Sequence, residues 1–125
     1  MKRYEAILVI EDEEDIRQMI CDILEDEGYD TIQAANGIEG IETLRRVPEI
    51  GTIITDLLMP EKEGIETITE IRKDFPRLRI LAISGGGICM PENYLNLARA
   101  MGANATLSKP FGRKELLDAM ENLER

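Results

Sequence analysis

The amino-acid sequence predicts an α/β protein with a parallel sheet that helices cover on both faces. Short apolar runs alternate five times with amphipathic segments of helical spacing. Uninterrupted apolar strands are typical of parallel sheets that are buried on both faces. The helical segments between them supply the crossovers that parallel strands require. At 125 residues the chain has the length of one domain, and we expect a single domain over residues 1–125.

The first two strand-helix units follow from apolar spacing and helix-ending residues. An apolar run at residues 6–10 predicts the first strand. Apolar residues then recur at helical spacing: Ile16, Met19, Ile20, Ile23 and Leu24. Gly28 is expected to end that helix. Residues 29–34 predict a weaker second strand, and Asn36 is the predicted N-cap of a second helix that ends before Pro48.

The remaining three units repeat this pattern. Strands are predicted at residues 51–55, 78–83 and 104–107. Three further helical patterns follow them: Ile65, Ile68, Ile71 and Phe75; Tyr94, Leu97, Ala98 and Met101; Leu116, Leu117, Met120 and Leu123. Pro76 and Gly102 are expected to end the first two of these helices.

Composition excludes several classes of function. The chain has no histidine, which removes histidine-based catalysis and most zinc sites. A net charge of −10 disfavours contact with nucleic acid and with anionic membrane surfaces. Cys21 and Cys89 have no metal-binding spacing. No stretch resembles a signal peptide or a membrane span, so we expect a cytoplasmic protein with reduced cysteines.

Polar residues of complementary chemistry follow four of the predicted strands. Glu11 and Asp12 follow the first, Asp56 the third, Ser84 the fourth and Lys109 the fifth. The carboxyl ends of parallel strands share one edge of the sheet, which is where open α/β folds bind ligands. Each residue alone has an ordinary explanation as a cap, a turn residue or a solvated charge. Their joint placement predicts a functional site.

The charges at this edge restrict the ligand. Three carboxylates and one amine sum to −2. Crowded carboxylates either raise a pKa or bind a cation, and Mg²⁺ suits a site with few oxygen ligands from the protein. A bound cation would let an anion approach. The residues therefore suggest transfer of a phosphoryl group onto a carboxylate.

The sequence resembles response-regulator receiver domains over essentially its whole length. Four segments carry the resemblance: ILVIEDE at residues 7–13, TDLLMP at 55–60 with Gly64, ISG at 83–85, and SKPF at 108–111. The resemblance implies a flavodoxin-like sheet of strand order 2-1-3-4-5. It also implies that Asp56 accepts a phosphoryl group from the phosphohistidine of a histidine kinase or phosphotransfer protein.

The same resemblance implies roles for the other site residues. Asp12, Asp56 and the backbone carbonyl of Leu58 would bind Mg²⁺, with Glu11 assisting. Ser84 would hydrogen-bond the phosphoryl group and Lys109 would pair with one of its oxygens. The bond before Pro110 is expected to be cis. Output is expected through a protein surface around the fourth helix, fifth strand and fifth helix, toward a downstream protein whose identity the sequence does not give.

The chain departs from the family pattern at its switch and loop residues. Thr106 stands three positions before Lys109, where the family usually has an aromatic residue, so ring-coupled switching is in doubt. The loop that begins with Gly85 and Gly86 is longer than expected. Leu58 and Gly86 offer no side-chain hydrogen bond to a hydrolytic water, which predicts a long-lived phosphorylated state.

Other classes of function stay open at this point. A nucleotide- or flavin-binding module would use the triple glycine at residues 85–87, although the run fits no phosphate-binding motif. An aspartyl-nucleophile phosphohydrolase of the haloacid dehalogenase type would need an acid where Leu58 stands. A docking domain that is never phosphorylated would not need the acid, hydroxyl and lysine set. We therefore expect a stand-alone receiver that is not an enzyme.

Overall fold

The computed structural model describes residues 5–57, 64–84 and 98–123, and these form one parallel sheet flanked by helices. The strand order is β2-β1-β3-β4-β5. In chain order the strands are β1 (Ala6–Ile10), β2 (Asp30–Ala34), β3 (Ile50–Asp56), β4 (Arg79–Ser84) and β5 (Ala105–Ser108). All four neighbouring pairs are parallel. The predicted fold class and strand order are confirmed.

Helices connect the strands. They are α1 (Glu14–Asp26), α2 (Gly37–Arg46), α3 (Gly64–Asp74) and α5 (Arg113–Leu123), together with α4, of which residues 98–101 are described. The Asn36 side chain accepts a hydrogen bond of 2.9 Å from the Glu39 amide, so the predicted N-cap is confirmed. Gly28, just beyond α1, has a φ of +93°, a left-handed conformation in which glycine carries no steric cost.

Helices bury both faces of the sheet. Alternate side chains of the central strands point to opposite faces, so each strand contributes to two cores. Leu8, Ile10 and Ile53 pack in a core with α2, α3 and α4. Ile7, Val9 and Ile54 pack in a second core with α1 and α5. This explains why the central strands are apolar throughout rather than alternating.

Two large apolar side chains of the described helices are exposed. Met19 on α1 is 38% exposed, and Ile38 in the first turn of α2 is 51% exposed. Both lie at the margin of their helix's apolar stripe, where the sheet does not cover them. Among the described residues, none of the helices has the length and apolar character needed to cross a membrane.

Candidate functional site at the carboxyl edge of the sheet

The register of the strands brings the predicted site residues together. Ile10 pairs with Thr55, so Glu11, the next residue after β1, lies beside Asp56 at the end of β3. Ser84 ends β4 and pairs with Ser108, the residue before Lys109. Glu11, Asp56 and Ser84 are buried, with 1%, 3% and 4% of their surfaces exposed. The sheet itself therefore positions the site.

Lys109 joins the two buried carboxylates. Its Nζ donates a hydrogen bond of 2.8 Å to Asp56 Oδ2 and lies 3.2 Å from Glu11 Oε1. The lysine side chain is only 14% exposed. Burial alone would lower the pKa of Lys109, but the hydrogen bond and charge of Asp56, together with the charge of Glu11, raise it. The ammonium therefore stays charged and holds the carboxylates at short distance.

Glu11 is the least satisfied acid in this cluster. Its Oε2 accepts a hydrogen bond of 3.1 Å from the Glu13 amide. Its Oε1 is buried and lies near Lys109 without the alignment of a hydrogen bond. Burial, and then the neighbouring charge of Asp56, raise the pKa of Glu11 from 4.5 to about 8. A buried carboxyl with an unsatisfied oxygen favours a cation at this position.

The carboxylates have the arrangement of a metal site. Oxygen atoms of Glu11, Asp12 and Asp56 all lie within 4.8 Å of one another. Asp12 is exposed, whereas the other two are buried, so a cation can be reached from solvent. Carboxylate oxygens are the ligands that hard divalent cations prefer. The donor set and the unsatisfied Glu11 oxygen both fit such an ion.

Two residues near the site were not assigned a role from sequence. Arg17 donates to the backbone carbonyl of Glu11 at 2.8 Å and to Gln33 Oε1 at 2.9 Å, and so ties the loop after β1 to β2. Glu13 lies 3.8 Å from Lys109 Nζ and is 64% exposed. The one detectable signal was that Arg17 is the only base among ten acids from Glu11 to Asp30.

The β5 side of the site has three notable features. The Lys109 amide donates to the Ser84 carbonyl at 3.1 Å, which fixes the lysine backbone against β4. The Lys109–Pro110 bond is cis, the isomer expected from the resemblance. Thr106 Oγ1 accepts a long hydrogen bond of 3.4 Å from Arg99 on α4. Leu58, Gly85 and Gly86, which the sequence assigned to the metal site and loop, lie outside the described residues.

A parallel sheet with an acidic edge, a lysine side chain that is 14% exposed and a buried hydroxyl fits the class of phosphorelay signalling modules. The chain belongs to the response regulator receiver domain family, whose model matches residues 7–121. Receiver domains act in phosphorelay signalling.

Individual relatives agree with this assignment. A putative NtrX-like response regulator of Rickettsia bellii is 34% identical over 113 residues, which is 89% of this chain and 23% of that protein. Sporulation initiation phosphotransferase F of Bacillus subtilis is 26% identical, and the match covers 94% of this chain and 91% of that protein. Chemotaxis protein CheY4 of Vibrio cholerae has a TM-score of 0.85 at 29% identity, with 95% and 98% covered.

The matched relatives differ in length. The chain spans 23%, 12% and 50% of three curated relatives that it matches, which are an NtrX-like regulator, a sensor kinase and a transcriptional regulatory protein. It spans 91% of the sporulation phosphotransferase and 94% of a chemotaxis protein from Halobacterium salinarum. The receiver unit therefore occurs both joined to other segments and nearly alone.

Proposed function

We propose that Asp56 accepts a phosphoryl group from the phosphohistidine of a histidine kinase or phosphotransfer protein. The observation that carries this proposal is the partly buried Lys109–Asp56 hydrogen bond of 2.8 Å beside the acidic cluster. Through this bond the positively charged ammonium of Lys109 is in direct contact with the Asp56 carboxyl group. The place of Asp56 at the end of β3 puts it at the edge where ligands enter this type of sheet.

The transfer exchanges one phosphorus bond for another. An Asp56 carboxylate oxygen forms a bond to phosphorus as the bond from phosphorus to the donor nitrogen breaks, and that nitrogen keeps the electron pair. Lys109 exchanges its contact with Asp56 for one with a phosphoryl oxygen, which neutralises part of the charge that the group brings. Ser84 contributes a hydroxyl at the end of the neighbouring strand.

We further propose that Mg²⁺ is the cation that Glu11, Asp12 and Asp56 hold, with the Leu58 carbonyl as predicted from sequence. When bound, it neutralises charge on the phosphoryl group and orients it for in-line transfer. Once Glu11 ionises, the site without a cation has a charge of −2, which would repel an anionic donor. Glu11 and Asp12 therefore control access of the donor as well as binding of the metal.

The experiment is incubation with acetyl phosphate and Mg²⁺, followed by intact-mass measurement. Wild-type protein should gain one phosphoryl group that hydroxylamine removes, and the chelator EDTA should prevent the gain. Asp56→Asn should fold and stay unmodified. Asp74→Asn, an exposed acid at the end of α3, is the matched control and should react as wild type does. Release of inorganic phosphate in many turnovers, without an adduct, would instead support the hydrolase alternative.

Output is proposed to run through the surface of α4, β5 and α5 to a downstream protein. Arg99 on α4 contacts Thr106 on β5, and Lys109 follows that strand directly. Loss of the Lys109–Asp56 contact on phosphorylation would therefore act first on β5. Amide hydrogen exchange in residues 98–108 should change on phosphorylation, and unchanged exchange there would contradict this route. We also propose that the protein acts in the cytoplasm, where histidine kinases would donate the phosphoryl group.

A further inference from the structure

A groove lies at the opposite edge of the sheet from the acidic site. It is lined by residues within 44–51 and by residues 74–79, with Glu5 at one end, and we call it the amino-edge groove. Its volume is about 760 Å³, within the range typical of small-molecule sites. None of the residues at the acidic site lines it. The groove therefore shares no residue with the proposed phosphoryl-transfer site.

The sequence explains why a groove forms here. α2 ends at Arg46 and α3 ends at Asp74, in each case two residues before a proline that cannot continue a helix, Pro48 and Pro76. The chain turns back into the sheet at both points, and a cleft is left between the two helix ends. Apolar side chains form its walls, and several of them stay partly exposed: Val47, Pro48, Phe75 and Pro76.

Two sets of ion pairs hold the groove in shape. At one end Arg79 donates to Glu5 at 2.8 Å and to Thr52 at 3.3 Å. Glu5 reaches Arg79 by passing over Gly51, where any Cβ would overlap the Glu5 side chain. At the other end Arg45 on α2 bridges to Asp74 on α3 at 3.2 Å. Polar contacts thus span the groove at both of its ends.

The charge of the groove contrasts with that of the whole chain. Three arginines and two acids line it, so its net charge is 3 − 2 = +1 in a protein of net charge −10. Arg45 and Arg79 are paired with the groove's two acids, and Arg45 also lies 3.7 Å from Glu70, which does not line the groove. Arg77 makes no hydrogen bond or ion pair with any residue in the described ranges, and it is exposed. The guanidinium of Arg77 is therefore available to bind an anion.

Several backbone carbonyls at this end of the sheet accept hydrogen bonds, which reduces their repulsion of an anion. The carbonyls of Pro76 and Leu78 accept hydrogen bonds from Arg72 at 2.7 and 2.8 Å. The carbonyls of Thr43 and Ile71, in the last turns of the two helices, accept from the amides of the residues four positions on. These four carbonyls at the amino edge therefore already accept hydrogen bonds.

We propose that the amino-edge groove binds a small amphipathic monoanion, an aliphatic or aromatic carboxylate, with its head at Arg77 and its apolar body along Val47 and Phe75. A planar guanidinium suits a carboxylate because it can donate two parallel hydrogen bonds. The apolar walls remove the tail from water. An uncharged molecule of the same length gains the burial of its tail but not the ion pair with Arg77.

The test is a titration of ¹⁵N-labelled protein with sodium octanoate, followed by NMR, with 1-octanol as the uncharged probe. Octanoate should shift amide resonances of residues 44–51 and 74–79 saturably and should bind more tightly than 1-octanol. Arg77→Gln should weaken octanoate binding about three- to fivefold, and Arg77→Glu should weaken it further. Because Arg77 is exposed in a turn, both variants should keep the wild-type spectrum elsewhere.

Controls separate this proposal from the proposed function. Lys114→Gln removes an exposed cation on α5 and should leave octanoate binding unchanged, as should Asp56→Asn. Three results would each overturn the proposal: no saturable shift up to millimolar octanoate, equal affinity in wild type and Arg77→Glu, or shifts centred on the acidic edge at residues 11–13, 56 and 109.

Discussion

Replacement of Glu11 by glutamine should change how the stability of the protein depends on pH. The carboxyl is 1% exposed, and its pKa in the folded protein is about 8, against 4.5 as the ordinary value. Between these values the folded protein binds a proton that the unfolded chain has lost. The contribution of Glu11 is therefore fully present below about pH 4.5 and is lost as the pH rises through 8.

The size of the effect follows from the same two values. Between about pH 4.5 and pH 8, each rise of one pH unit should lower the free energy of unfolding by up to about 1.4 kcal/mol. From pH 6 to pH 8, the free energy of unfolding should fall by about 2 kcal/mol in the absence of divalent cations, because the folded protein retains a Glu11 proton that the unfolded chain has lost. A glutamine side chain cannot ionise, so that slope should disappear in Glu11→Gln. The absolute stability of this variant is a poorer readout, because the new amide can place a donor against Lys109.

Urea unfolding at several pH values, with EDTA present, measures this slope. Glu13→Gln is the matched control, since it removes a carboxylate that is 64% exposed in the same loop and should keep the wild-type slope. Added Mg²⁺ should offset the loss in wild type at pH 8, because a cation favours the charged carboxylate. Equal pH slopes in wild type and Glu11→Gln would refute the reasoning.

Three further predictions concern other parts of the chain. Arg72→Lys should lower the free energy of unfolding by about 2 kcal/mol, measured by urea unfolding. The guanidinium donates five hydrogen bonds to carbonyl and amide oxygens of the turns before β4 and β5. An unchanged unfolding midpoint would contradict this. Asn36→Ala should cost about 1 kcal/mol through loss of the α2 cap, whereas Asn36→Asp should not. The double variant Leu58→Asn with Gly86→Glu should shorten the lifetime of phosphorylated protein in Mg²⁺ buffer; if decay is no faster, these positions do not control it.

Most of the fold could be predicted from sequence because its signals are local. Apolar runs, helical spacing and ending residues such as Gly28 determine each element, and strict alternation of elements leaves few topologies. The convergence of Glu11, Asp56 and Lys109 also followed, because strand ends share an edge. What could not be predicted depends on distances between segments.

The groove illustrates that limit. Nothing in the local sequence indicates that Glu5 meets Arg79, which lies 74 residues away. The hydrogen bonds from Arg72 to residues 102 and 104 depend in the same way on how two turns meet. Likewise, Arg17 stood out as a lone base, but its contact with the Glu11 carbonyl needs the geometry of the loop after β1.

The central claim is that Asp56 is the residue that carries the phosphoryl group. After reaction with acetyl phosphate and Mg²⁺, borohydride reduces an aspartyl phosphate to homoserine, which peptide mass spectrometry locates. The account predicts homoserine at position 56 in wild-type protein and none in Asp56→Asn. Homoserine at position 12 or at any other aspartate, or the corresponding five-carbon hydroxy amino acid at a glutamate, would contradict it.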